Sequence, residues 1–299
     1  MVDIFIYLFI YLYLNINLLY LYRMDIITGE KLQEICNIYI GHEEDFRYNP
    51  RIFKQKEKHM LFQNIPYEYD NPKIIFTYTH RLDELYYYID SFKNEFILIT
   101  HNSDENITEK YLKIAEHEKI IHWFSQNVMI DHSKLSIIPI GIANSMWDHG
   151  NLDCITPFLF NKNKTQLLYF NFNVNTNVGK RQECKEILEQ NGYIFRESKL
   201  YSDYLKELSE SKFCICPEGN GIDSHRIWES LYCGTIPIML RNIFTEKVEK
   251  NYPCILLNSW EELNDNIFNN YKDYLFLENV KNELDLIYYK SLMFRLINV

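Results

Sequence analysis

The chain of 299 residues has no excess of basic side chains. Its formal net charge is −10 and no segment carries a basic stripe, which argues against a nucleic-acid partner. The seven cysteines form no pairs at zinc-site spacing, and their odd number makes a reducing compartment the simpler reading. Also missing are a phosphate-binding Walker loop, a G-x-G-x-x-G turn, a G-x-S-x-G elbow and an H-E-x-x-H helix. Those absences weigh against NTPase, dehydrogenase, serine-hydrolase and zinc-protease chemistry. What is present is core material. Hydrophobic residues make up 47% of the chain and charged residues 24%, enough for one large or two ordinary domains.

Val2 to Tyr22 is almost continuously apolar and long enough to cross a membrane. Asp3 precedes the body of this run and Arg23 follows it, the reverse of the charge bias of a lumenal anchor. Three readings stand: a membrane anchor, a signal peptide, or an upstream extension from a misassigned start, with soluble sequence opening at Met24. The extension is preferred. No basic n-region or small-residue cleavage site favours a signal peptide. The expected location is cytoplasmic, with membrane attachment only if residues 2–22 are an anchor.

From Asp25 to Lys58 the pattern reads as mixed helix and loop. Strands are then expected at Lys73–Thr79, Phe96–Thr100, Ile120–Phe124 and Leu135–Gly141, the last at an edge or ending early because of Pro139. Helices are expected at Leu82–Phe92 and Glu109–Glu118. Asn144 to Lys164 is rich in Asn, Asp, Gly and Pro and reads as a linker. A second alternating series follows, with strands at Gln166–Phe172, Tyr193–Phe195, Phe213–Cys216, Thr235–Leu240 and Cys254–Leu257. Its helices are expected at Gly179–Gln190, Ser202–Ser211 and Trp260–Phe268, with a helical tail from Tyr271 to Val299. Strands alternating with helices predict parallel sheets covered on both faces. The expected division is a leader over residues 1–23, a domain over 24–150 and a second over 151–299.

The segment Ser211 to Leu240 carries the most information. Pro217-Glu-Gly-Asn-Gly-Ile222 breaks the pattern after a strand, Asp223 or Ser224 can cap a helix, and Gly234 sits where a helix-ending glycine belongs. A loop opening into a helix N-terminus is a natural anion site, because free backbone N–H groups point outward there. Arg226 stands in the first helical turn, where the helix dipole disfavours a cation unless something negative faces it. A diphosphate would satisfy both. Glu229, three residues on, shares that face and is suited to accept two ribose hydroxyls. The competing reading is a plain Arg226–Glu229 ion pair on a solvated face.

Ser211-Lys-Phe-Cys214, Cys216-Pro-Glu-Gly219, Ser224-His-Arg226, Glu229, Gly234 and Ile236-Pro-Ile238 together resemble the C-terminal signature of exostosin-family glycosyltransferases. The match is dense over these thirty or so residues, weaker from Arg181 to about Leu208, and only in layout over the first 160. The resemblance implies a GT-B-like α/β fold of two Rossmann-like domains whose parallel sheets face a cleft. It also implies transfer of a hexosyl or pentosyl unit from a nucleotide-sugar donor to a glycan or glycoprotein hydroxyl, by inversion and without a cofactor. A glycan- or nucleotide-sugar-binding protein that kept the fold without turnover is the alternative.

Under that resemblance the donor is held by Arg181, Glu218, Gly219, Ser224, Arg226 and Glu229. Metal-dependent transferases commonly use an Asp-x-Asp pair, and no two aspartates here stand two apart; Glu43-x-Asp45 and Glu283-x-Asp285 come nearest. No metal site is therefore expected, and leaving-group charge falls to arginine, backbone N–H groups and a helix N-terminus. The base is expected across the cleft, in a loop at the carboxyl end of a first-domain strand. His80 is preferred, ahead of His101, Asp104, Asp148 and His149. His122, alternating with apolar neighbours, is read as structural.

Overall fold

A computed structural model describes residues 24–271 and 282–298. The leader at residues 1–23 and part of the expected helical tail lie outside the described residues. Among the described residues, no helix is long and apolar enough to cross a membrane.

Ten described strands form two sheets, parallel throughout. The first contains β1 (Ile38–Gly41), β2 (His59–Leu61), β3 (Ile74–Tyr78), β4 (Phe96–His101), β5 (Ile120–Ser125) and β6 (Leu135–Ile137), in the order β2-β1-β3-β4-β5-β6. The second contains β7 (Gln166–Tyr169), β8 (Ser211–Ile215), β9 (Ile236–Leu240) and β10 (Ile255–Leu257), in the order β10-β9-β8-β7. This is the GT-B-like α/β arrangement expected.

Alternation along the strands builds the cores. β4 is buried along its whole length. Phe96 and Leu98 point to one face, against Leu82, Leu85, Ile89 and Ile114. Ile97 and Ile99 point to the other, against Leu32 and against Leu286, Tyr289 and Met293 of the helix Leu286–Ile297. The C-terminal helix thus crosses back and covers the first sheet. In the second half, Cys184, Leu205, Leu208, Trp228, Leu231, Phe244 and Val248 bring four helices onto the sheet. The Tyr232 hydroxyl ties the parts together. It accepts from the Ile27 N–H at 3.0 Å and donates to the Leu284 carbonyl at 2.6 Å.

Several expectations need correction. The segment Asp25–Lys58 hides β1, which is only four residues long and central rather than peripheral. Tyr193–Phe195 forms no strand. Its neighbour Arg196 makes one backbone bond to Phe170, and Phe195 is held by ring contacts with Phe170 and Phe172. Trp260–Phe268 is interrupted: a turn at Trp260–Glu262 ends, and Asn264 caps a new short helix at Asp265–Asn270. β6 stops before Pro139 and lies at the sheet edge.

Candidate functional site

After β8 the chain leaves the second sheet through Cys216–Ser224 and enters the helix His225–Tyr232. The loop is pressed against the first half of the protein. A Cβ on Gly221 would stand 2.8 Å from Asn127 Oδ1, so only glycine allows that approach. Asn127 Oδ1 accepts the Asp223 N–H at 2.8 Å. The Asp223 carboxylate does not cap the helix, as the sequence had left open. It accepts from Trp228 Nε1 at 2.6 Å and from the Ile140 N–H at 2.9 Å, bridging the two halves. Burial pushes the Asp223 carboxyl up to about 7 against the pull of those two bonds. His225 donates from Nδ1 to the Gly141 carbonyl at 2.7 Å. At the other end, Gly234 takes φ of +72°, the left-handed conformation of a helix-ending glycine.

Ser224 is the N-cap residue by backbone geometry, but its hydroxyl makes no capping bond and is buried without a partner. Two nitrogens of Arg226, Nε and Nη1, are likewise buried and unpartnered. Three polar atoms at one helix head thus lack the bonds that buried polar groups almost always have. The Arg226 guanidinium lies 5.0 Å from the Tyr204 ring centre. Burial opposes its charge, but Tyr204, Cys214 and Glu229 more than offset this, so its pKa rises above the usual arginine range.

Arg181, on the helix Val178–Gln190, comes to the same place. It donates from Nε to the Glu218 carbonyl and from Nη1 to the Asn173 carbonyl, both at 2.8 Å. Burial, and then repulsion from Arg226, lower its pKa to about 10, so it stays protonated at neutral pH. Two cations that repel one another, beside an uncapped helix head, suit a polyanion.

Glu229 does not pair with Arg226. Its carboxylate accepts the Tyr201 hydroxyl at 3.1 Å and the Tyr204 hydroxyl at 2.7 Å. Arg181, Gly219, Ser224, Arg226 and Glu229 all line a cavity of about 710 Å³, within the range of ligand sites. Glu218 does not line it; what it supplies is the carbonyl that fixes Arg181.

A smaller cavity of about 260 Å³ adjoins it, and the two share Asp104, Ile140, Trp147 and His225. The smaller one sits at the carboxyl ends of β1, β3 and β4, where the strand order reverses between β1 and β3. Asp104 is exposed and makes no hydrogen bond or ion pair among the described residues. Asp148 and His149 line the larger cavity. His101 lines the smaller, and burial lowers its imidazole to about 4.

His80 lines neither cavity. Its ring contacts Asp45 at 3.2 Å and Ser103 at 3.3 Å, and its side chain is 41% exposed. His122 bonds to Ser136 at 2.9 Å within the sheet, remote from both cavities. Tyr201, Tyr204 and Trp147 escaped the sequence reading, and Asp223 entered it only as a possible helix cap. The tyrosine pair at i,i+3 was hidden among 24 tyrosines, and Trp147 stood in what read as a linker.

A family model of the Exostosin GT47 domain matches residues 108–262, just over half of the chain. One curated relative, a probable glycosyltransferase of Arabidopsis thaliana, is 40% identical over 38 residues. That segment covers 13% of this chain and 8% of the relative's length.

Proposed function

The chain belongs to the exostosin GT47 family, and from that premise we propose that it transfers a hexosyl or pentosyl unit from a nucleotide-sugar to a glycan hydroxyl. The observation that carries this reading is the helix head at Ser224–Arg226, with three buried polar atoms unpartnered on the wall of a cavity. The donor's diphosphate lies against Arg226, the free Nη2 of Arg181 and the first-turn N–H groups. As the bond from sugar to diphosphate breaks, charge gathers on the leaving oxygen, and these groups are already oriented toward it. Glu229, with the tyrosines that hold it, faces the nucleotide's ribose. Glu218 and Gly219 shape the loop through their backbone.

The acceptor enters from the first half, residues 24–150, and the donor is held by residues 151–299. Asp104 stands on the wall common to both cavities with its carboxylate unengaged, and so is proposed as the base that takes the acceptor proton. His80 is proposed to fix Asp45 rather than to act as base. Attack from the acceptor side and departure on the donor side give inversion. The cations at the helix head and the lack of an Asp-x-Asp pair favour a reaction without a divalent ion. All seven cysteines are unpaired thiols, in keeping with a reducing compartment.

The test is release of nucleoside diphosphate from a panel of nucleotide-sugars, with and without glycan acceptors, after exhaustive chelation. Undiminished turnover is expected. Complete loss, restored only by manganese or magnesium, would overturn the metal-independent reading.

A further inference from the structure

We infer that the smaller cavity takes the terminal sugar of an uncharged glycan, stacked on Trp147 and Tyr48, and selects against acidic sugars. This deepens the reading above and rests on it for the role of Asp104. Trp147 is 45% exposed and Tyr48 65% exposed, and their ring centres stand 6.2 Å apart at 60° at the cavity. They come from segments almost a hundred residues apart. Large aromatic faces held open to solvent in a polar crevice suit the apolar face of a pyranose, whose hydroxyls then turn toward the polar wall.

That wall is built of amides. Gln33 Nε2 donates to the Tyr78 hydroxyl and Gln33 Oε1 accepts from Asn102 Nδ2, both at 3.1 Å. Asn102 Oδ1 accepts from Asn144 Nδ2 at 3.0 Å. A side chain on Gly29 would collide with Asn102, so glycine makes room for the network. Each amide has two donor hydrogens and an acceptor oxygen with two lone pairs, so the chain of bonds fixes its orientation and leaves capacity for ligand hydroxyls.

Among the described residues, no lysine or arginine lines this cavity. Its carboxylates and imidazoles are Asp45, Asp104, His101 and His225. Burial raises the Asp45 carboxyl, but bonds from His80 and Arg81 overcome that and hold it near 2. Burial lowers both imidazoles, so neither is a cation at neutral pH. Asp45 is paired with Arg81, so a uronate or sulfate group here would face the unpaired Asp104 carboxylate and find no cation on the lining to receive it, which costs like-charge repulsion. The cavity's size, just under the usual range of ligand sites, fits a chain terminus rather than a long segment. From Trp147 the aromatic line continues to His149, stacked at 6.2 Å, and so into the larger cavity.

The experiment uses the full chain without donor. Of its four tryptophans, Trp123, Trp228 and Trp260 are buried, so emission changes on ligand binding report Trp147. Short neutral oligosaccharides (gluco-, xylo- and manno-series) and uronic-acid oligomers of matched length are titrated in, with calorimetry as the second readout. Saturable binding of a neutral series is expected, with uronates at least ~tenfold weaker. Tyr48→Ala, an exposed position, should weaken the neutral ligand about tenfold without loss of fold. Equal or tighter uronate binding, unchanged affinity in Tyr48→Ala, or no neutral binding at all overturns the proposal. Nucleoside diphosphate binding is measured in parallel. Its absence with glycan binding intact would defeat the donor reading alone, and the converse would defeat this one alone.

Discussion

Arg226 is a cation placed where both the helix dipole and burial oppose it, with Nε and Nη1 unbonded. The conflict with the dipole was legible in the sequence, because an arginine in a first helical turn after a glycine-bearing loop is locally misplaced; its burial and unbonded atoms were not. The partner of Glu229 was not legible. Spacing allowed an ion pair with Arg226, but the helix Tyr201–Ser209 brings two tyrosine hydroxyls to the carboxylate first. The position of the His80 ring was not legible either. A histidine after a strand names a sheet end, not the direction its ring takes, and His80 turns to Asp45 and Ser103. The two carboxylate and imidazole roles separate experimentally. Asp104→Asn should lose about two to four orders of magnitude in transfer rate with donor affinity little changed. His80→Ala should retain transfer within about tenfold. The opposite ranking would return the role of base to His80.

At the scale of elements, the long apolar runs announced themselves. β3, β4, β5, β8 and β9 fall within a residue or two of expectation, since a strand buried on both faces needs a continuous apolar stretch. β1 and β2 did not: Ile38-Tyr-Ile and His59-Met-Leu stand beside polar and charged sequence, whereas the equally short β6 and β10 lie in the apolar stretches 135–140 and 254–257. The tail from Tyr271 to Val299 was read as helical, and within it the helix Leu286–Ile297 carries the contact with the first sheet. One side meets Phe76, Ile97, Ile99 and Phe124 of the first sheet, although the helix follows the second in sequence. Met293, 1% exposed, sits in that contact. Met293→Ala should cost about 2–5 kcal/mol in urea unfolding. A loss well under about 1 kcal/mol would mean that the crossing helix contributes little to the first sheet's core.

At the scale of the whole molecule, the Asp223 bond between the halves and buried histidines inside the first half titrate in opposite senses. Asp223, which ties the helix His225–Tyr232 to Ile140, has its pKa raised from 3.8 to about 7 by burial. Its contribution to stability is full below about 4 and is lost as pH rises toward 7. His101 and His122 are lowered by burial from 6.5 to about 4, so their contribution is full above 6.5 and is lost as pH falls toward 4. Between those limits the two slopes oppose one another in the native protein. Asp223→Asn removes its opposing slope, so unfolding free energy should rise with pH across that window relative to the native protein. Urea unfolding at several pH values checks this, and parallel profiles for the two proteins would contradict it. The central claim is that the helix head at Ser224–Arg226 receives a nucleotide diphosphate in the cleft between the two sheets. Calorimetric titration of the full chain and of Arg226→Ala with a set of nucleoside diphosphates tests it most directly. The account predicts that at least one nucleotide binds the native chain and that Arg226→Ala weakens it by at least about 2 kcal/mol while remaining folded. Equal binding by the two proteins, or no nucleotide binding by the native chain, would contradict it.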